Sequence, residues 1–151
     1  MKALLQRVAE AAVIVQGSVI GAIGQGFVVL LGIADDDIEK DADYLAEKVI
    51  NLRVFSDDKG KFNLSALQIH CGLLVISQFT LLADTKRGRR PSFTSAAQPE
   101  KAEALYNYFI KKVRGTGLRV ETGSFGAHMM VKILNDGPVT LMLDSKERLS
   151  K

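Results

Sequence analysis

Apolar residues along this chain recur in three patterns, and each predicts a different element. The first is a set of short β-branched runs divided by glycine. Residues 2–16 carry Val8, Val13, Ile14 and Val15, and Gly17-Ser18 reads as a tight turn into residues 19–23. Gly24-Gln25-Gly26 makes a second turn, and residues 27–33 read as a buried strand. Three consecutive strands with short turns predict an antiparallel meander.

The second pattern is helical. Ile38, Ala42, Leu45, Val49 and Leu52 follow one another at intervals of three or four and so share one helix face. Asp35-Asp36-Asp37 ahead of them supplies N-cap candidates and negative charge at the positive end of the helix dipole. A second helix opens with Pro99 at its first position, where the missing N–H costs nothing. Ala102, Leu105, Phe109 and Val113 form its stripe, Lys111, Lys112 and Arg114 fill its last turn, and Gly115 ends it.

The third pattern is the unbroken run Gly72-Leu73-Leu74-Val75-Ile76-Ser77, which predicts a central strand covered on both faces. Arg53-Val54-Phe55-Ser56 reads as a short strand, with a polar turn over 57–61 before Phe62-Asn63. Residues 83–98, with Pro91, read as a long loop, and residues 118–121, 128–134 and 139–144 as strands. Strands interrupted by two main helices give an α+β class, with antiparallel sheets. No repeat or linker divides the chain, so residues 1–151 are expected to form one domain.

With 151 residues, such a domain buries roughly 68–70% of its unfolded surface, enough for a real core. The longest apolar run, residues 27–31, is far short of the ~20 needed to span a bilayer, so no membrane partner is expected. Lys2, Arg7 and Glu10 leave no apolar leader, and the chain is expected to be cytoplasmic. Cys71 is the single cysteine, which excludes an internal disulfide and a cysteine metal cage and predicts a buried, reduced thiol. A net charge of +3 permits a nucleic-acid partner without requiring one.

Two segments carry candidate chemistry. Asn135-Asp136-Gly137-Pro138-Val139-Thr140 lies between two apolar runs. Proline fixes φ and glycine opens backbone angles closed to other residues, so the pair presents a main chain of set shape. Its carbonyls could read a ligand's stereochemistry, and the competing reading is a turn between strands. Ser77-Gln78-Phe79-Thr80-Leu81 follows the central strand directly. Ser77 and Thr80 offer hydroxyls, Gln78 an amide, and the exposed backbone N–H groups an oxyanion hole; the competing reading is a polar strand end.

These two segments together resemble the D-aminoacyl-tRNA deacylase (D-tyrosyl-tRNA deacylase) family. The resemblance runs over essentially the whole chain, from Met1-Lys2-Ala3-Leu4-Leu5-Gln6-Arg7-Val8 to the final strand, with both motifs intact and in order. It implies a barrel-like core and a homodimer that hydrolyses the ester joining a D-amino acid to the 3′ end of tRNA. It implies a cis Gly137-Pro138 bond that reaches into the partner's site and rejects L-aminoacyl substrates sterically. Glycine has no side chain to clash, so mischarged glycyl-tRNA would also be accepted. The catalytic segment carried over is Ser77, Gln78, Phe79 and Thr80, and Arg7 would prop the Gly-Pro unit.

The remaining candidates concern tRNA. Lys86, Arg87, Arg89 and Arg90 put four cations into five residues, which read either as a solvated loop or as phosphate contacts for the acceptor stem. Phe125, among small residues, would stack on the terminal adenine or pack into the core. Met129 and Met130 should point to opposite faces, one of them lining an adenine pocket. His70 and His128 both read as packed structural residues. No metal-ligand spacing is present, and neither a metal nor an organic cofactor is expected.

Aminoacyl esters are activated, so positioning would suffice: backbone N–H groups near Phe79 and Thr80 would hold the oxyanion, and the resemblance implies that the tRNA's terminal 2′-hydroxyl orients or activates the water. Thr80 as a covalent nucleophile is the rival, but it lacks a nameable base. Two other classes stay open, an RNA-binding module without catalysis and a small-metabolite esterase or deaminase with its site at a subunit interface. No DNA partner is expected.

Overall fold

The fold is built on one long strand. In the computed structural model, which describes residues 1–148, β1 (Lys2–Val15) is followed by β2 (Ser18–Ile23), β3 (Gly26–Gly32), α1 (Glu39–Asn51), β4 (Arg53–Ser56) and β5 (Phe62–Ser65). Then come α2 (Ala66–Ile69), β6 (Gly72–Ser77), α3 (Pro99–Arg114), β7 (Val120–Thr122) and β8 (Met130–Asp144). The class is α+β, with α1 and α3 as the two main helices and α2 a single turn.

The expected meander is not formed. β2 and β3 do not pair with each other; residues 11–15 of β1 pair with β2, and residues 2–8 pair with β3. A 14-residue β1 is long enough to template both. Nor is the sheet purely antiparallel, because β6 runs parallel to both β3 and β7. Parallel neighbours need a long crossover, and the segments containing α1 and α3 provide the two crossovers. The sheet then curls into a nearly closed, barrel-like form. Gly21 of β2 comes so close to β7 that a Cβ there would lie 2.8 Å from the Thr122 carbonyl oxygen, so only glycine fits.

Two cores cover the two faces of the central strands. Phe27, Val29, Leu31, Leu73 and Val75 pack against Leu45 and Val49 of α1 and Phe109 and Val113 of α3. Val28, Leu74 and Ile76 point the other way, against Val8, Val13 and Ile23. Each of the largest of these side chains adds about 1.5–3 kcal/mol by leaving water. The apolar run of β6 is therefore covered on both faces, as its composition predicts.

The aspartates before α1 play another part. The N-cap is Ile38, which is exposed, and its N–H is capped by the Asp41 carboxylate at 2.9 Å. Asp37 is fully buried; it pairs with the Met1 α-ammonium and accepts the Ala34 N–H. That ammonium also donates to Ser145 Oγ at 2.8 Å, tying the start of β1 to the turn after β8. In α3, Tyr106 and Ile110 join the predicted stripe, and the Tyr106 hydroxyl donates to the Val75 carbonyl at 2.8 Å.

Residues 128–144 do not form two strands around a turn. β8 is one 15-residue strand, and the Asp-Gly-Pro segment is a bulge inside it. Val8 pairs with Asn135 and Gln6 with Thr140, so four residues of β8 loop out opposite the single residue Arg7. No helix among the described residues is long and apolar enough to cross a membrane.

Candidate active site

β6 delivers the first motif. Ser77 is its last residue, level with Leu31 of β3, and the Gln78 N–H donates to the Leu31 carbonyl at 2.8 Å. The chain then turns away in a single 3₁₀ turn, Phe79–Leu82. The first bond of that turn runs from the Leu81 N–H to the Gln78 carbonyl, at 3.3 Å, so the amides of Phe79 and Thr80 come before it and find no partner inside the turn. Phe79 and Thr80 are exposed, and Ser77 and Gln78 half-buried. The Gln78 side-chain amide donates to Thr80 Oγ1. No histidine or carboxylate bonds to that hydroxyl among the described residues.

The bulge of β8 delivers the second motif. The Gly137-Pro138 peptide is cis, Gly137 has φ of +127°, and both residues are exposed. Asn135 brackets the bulge: its Nδ2 donates to the Arg7 carbonyl at 2.8 Å and to the Val139 carbonyl at 3.0 Å. Arg7 lies beneath it, 8% exposed. Its Nε donates to the Asp136 carbonyl at 3.2 Å and its Nη1 to the Val54 carbonyl of β4 at 2.7 Å. The Asp136 carboxylate stands 3.5 Å from Nε, and the exposed Phe62 ring covers the guanidinium at 5.2 Å. The fork of a buried arginine thus reaches two main-chain oxygens, one in the bulge and one in β4.

Within one chain the two motifs stand apart. Ser77 is level with Leu31, Leu31 with Ala3, and the bulge lies opposite Arg7, four residues further along β1. The path from β6 through β3 and β1 to β8 crosses three strand spacings, about 14 Å, with about 13 Å more along the strands.

The basic loop lies beside the first motif. Lys86, Arg87, Arg89 and Arg90 are exposed, and none of these side chains bonds to another among the described residues. The loop is closed by a backbone exchange between Asp84 and Ser92, at 2.8 and 2.9 Å. Its return limb places Phe93 edge-on to Phe79, with centroids 5.0 Å apart. Sequence reasoning misses Phe93, because a phenylalanine in a polar loop gives no periodic signal.

Phe125 is half-buried against Tyr106 at 5.9 Å and lines a cleft of about 540 Å³ with Lys111 and Arg114 of α3. Met129 is half-buried and Met130 exposed, as alternation predicts. Met129 folds over Gly123, where a Cβ would lie 2.6 Å from its sulfur, and it packs on the second core. Neither histidine is packed. His70 sits exposed in a left-handed cap after α2, and His128 is exposed before β8. Cys71 is buried, and burial pushes its thiol up to about 11, so it is inert near neutrality. Burial likewise pushes the Tyr106 phenol up to about 12, which keeps its hydroxyl a donor. Among the described residues there is no cluster of three or more His, Cys, Asp or Glu side chains able to hold a metal ion.

Comparison with known proteins bears on this arrangement. Residues 4–144 match the family model described as D-Tyr-tRNA(Tyr) deacylase. A D-aminoacyl-tRNA deacylase of Dehalococcoides mccartyi is 58% identical over 150 residues, 99% of this chain and 98% of that one. One from Caldicellulosiruptor saccharolyticus is 53% identical over 147 residues, 97% of this chain and 99% of that one. The solved structure of a c-Myc DNA unwinding element binding protein superposes with a TM-score of 0.90 at 44% identity, covering 95% of this chain and 98% of that one. A probable eukaryotic D-amino acid tRNA deacylase gives 0.83 at 18% identity, with the same coverages, and so shares the fold.

Proposed function

The chain belongs to the D-Tyr-tRNA(Tyr) deacylase family, and from that premise we propose that it hydrolyses D-aminoacyl-tRNA at a site shared between two copies of the chain. The reaction is ester hydrolysis. Water adds to the ester carbonyl, the tetrahedral oxyanion collapses, and free D-amino acid and tRNA with its terminal hydroxyl restored leave. The Phe79 and Thr80 amides hold the oxyanion; removing one such donor typically costs about 10²–10³ in rate. The terminal 2′-hydroxyl of the tRNA orients the attacking water. Thr80 serves as scaffold, since its hydroxyl has Gln78 for a partner and no base.

The observation that carries the shared site is the separation of the motifs. Gly137-Pro138 projects from a bulge three strand spacings along the sheet from the Ser77–Thr80 turn, so one chain alone is not expected to bring both to one ester. A two-fold partner can, because each copy then lends its bulge to the other's turn. Met130, Leu134 and Met142 on β8 are each more than half exposed, an apolar row suited to such a contact. In the shared site the Gly137 and Pro138 carbonyls face the substrate's α-amino group, and an L side chain would run into that main chain. Glycyl-tRNA lacks the side chain and passes, so it is hydrolysed as well. Arg7 props the gauge. Phe125 and Met129 receive the terminal adenosine, and Lys86, Arg87, Arg89 and Arg90 meet acceptor-stem phosphates. The enzyme acts in the cytoplasm, where charged tRNA is used.

The experiment is hydrolysis of D- and L-tyrosyl-tRNA and of free D-tyrosine ester by the purified protein, with duplex DNA as competitor. The reading expects turnover of the D-charged tRNA alone, with DNA competing only weakly. Cleavage of both enantiomers would remove the chiral gauge, equal turnover of the free ester would indicate a small-metabolite esterase, and binding without turnover would leave a nucleic-acid-binding module.

A further inference from the structure

The segment between β6 and α3 is not free. The Asp84–Ser92 exchange closes the basic loop, Ser95 Oγ donates to the Leu82 carbonyl at 3.3 Å, and the Ala97 N–H reaches the Ile33 carbonyl at 2.9 Å. The loop's return limb is therefore laid along the 3₁₀ turn that carries the Phe79 and Thr80 amides. Ser95 meets the end of the turn at Leu82, and Phe93 is the residue of that limb whose side chain meets its start, at Phe79. Its ring stands edge-on to Phe79 at 5.0 Å and 70°. Phe79 stays 56% exposed with that contact in place, and a four-residue turn of this kind has little internal bonding to hold its first amides in place.

We propose that Phe93 is a positioning residue: its ring fixes Phe79, and through Phe79 the two amides that receive the oxyanion. The proposal rests on the reading of those amides given above. Edge-to-face aromatic pairs are directional, whereas an aliphatic side chain of similar volume only fills space. Oxyanion donors act through placement, and a misplacement of about 1 Å can cost about 10²-fold in rate. The loop that bears the four cations is closed separately by the Asp84–Ser92 exchange, so loss of the Phe93 ring is expected to displace the amides and leave phosphate contact in place.

The test is a double-mutant cycle on Phe79→Leu and Phe93→Leu, assayed on D-tyrosyl-tRNA and on D-tyrosyl-adenosine, which has no acceptor stem. Melting temperatures are recorded for every variant, and Phe93→Met replaces Phe93→Leu if the latter does not fold. Phe93→Leu is expected to lower kcat on both substrates by about tenfold to 10²-fold with KM for the tRNA unchanged. Phe93→Tyr, which keeps the ring, is expected to restore kcat. The double variant is expected to lose no more than the worse single one. Losses that multiply in the cycle, or a defect confined to KM for tRNA with D-tyrosyl-adenosine cleaved at the wild-type rate, would overturn the proposal. Failure of the wild-type protein on D-tyrosyl-tRNA would instead sink the underlying reading, and the proposal with it.

Discussion

The guanidinium of Arg7 lies directly under Gly137: a Cβ on that glycine would come within 3.1 Å of Nη2 and 2.8 Å of Val139 Cγ2. Arg7 also bonds the carbonyls of Asp136 and Val54, so one buried side chain ties the bulge of β8 to the β4–β5 hairpin. Lysine cannot serve two carbonyls in fixed fork geometry. Arg7→Lys is therefore expected to leave one buried acceptor unpaired, at about 1–3 kcal/mol. The proposed gauge would loosen with it. The measurement is the ratio of D- to L-tyrosyl-tRNA hydrolysis, which should fall by more than the D-rate alone.

A backbone oxyanion hole and a threonine nucleophile make opposite demands on position 80. Thr80→Ala removes a hydroxyl held only by Gln78, and most of the activity should survive. Phe79→Pro removes an amide at the first position of the turn, where proline's φ is tolerated, together with the ring that meets Phe93, and the rate should drop by at least about 10²–10³. Single-turnover rates on D-tyrosyl-tRNA compare the two. Complete loss in a folded Thr80→Ala would assign the chemistry to the hydroxyl.

The loop cations predict a salt signature. If Arg89 and Arg90 neutralise phosphates, Arg89→Glu with Arg90→Glu should weaken tRNA binding. It should also flatten the plot of log affinity against log salt, by roughly 0.9 for each duplex phosphate left without its cation. An unchanged slope would return the loop to solvent.

Acid should unmask the Asp41 cap. Burial alone would raise this carboxyl's pKa, but the Ile38 N–H, the Ser145 hydroxyl and the Lys146 charge outweigh it, and the net direction is downward. A folded value below the unfolded value of about 3.9 means the stabilisation is complete above that value. It is lost as pH falls through the folded one. Asp41→Asn is accordingly expected to cost about 1 kcal/mol at pH 7 and progressively less below about pH 4. Urea midpoints at the two pH values measure the closing gap.

Much of this fold is legible from periodicity alone. The apolar run before Ser77 requires two covered faces, and the spacing from Leu105 to Val113 requires a helix face. What periodicity does not carry is how the strands share partners. Glycine at 17 and 24 marks breaks correctly, while Gly26 belongs to β3 itself, and none of them says that one long β1 pairs with both segments beyond. Asp136-Gly137-Pro138 has turn chemistry, and only the register against β1 shows it as a bulge within one strand. Asp37 has capping chemistry, and only the fold brings the Met1 ammonium to it. Of the site, the two motifs are legible as chemistry. Their tethers through Val54, Phe62 and Phe93 are not, because each reaches across elements with no local pattern.

The central claim is that each ester is cleaved between the turn of one copy and the bulge of another. Co-expression of a Phe79→Pro chain with a Gly137→Val chain, followed by isolation of the mixed dimer, tests it most directly. Each variant alone should be slowed by about 10²-fold or more on D-tyrosyl-tRNA, one for lack of an amide and the other because valine cannot take φ of +127° beside Val139 and Arg7. The mixed dimer should regain one of its two sites, and with it about half the wild-type rate per dimer. A mixed dimer as slow as its parents would show that turn and bulge act within one chain.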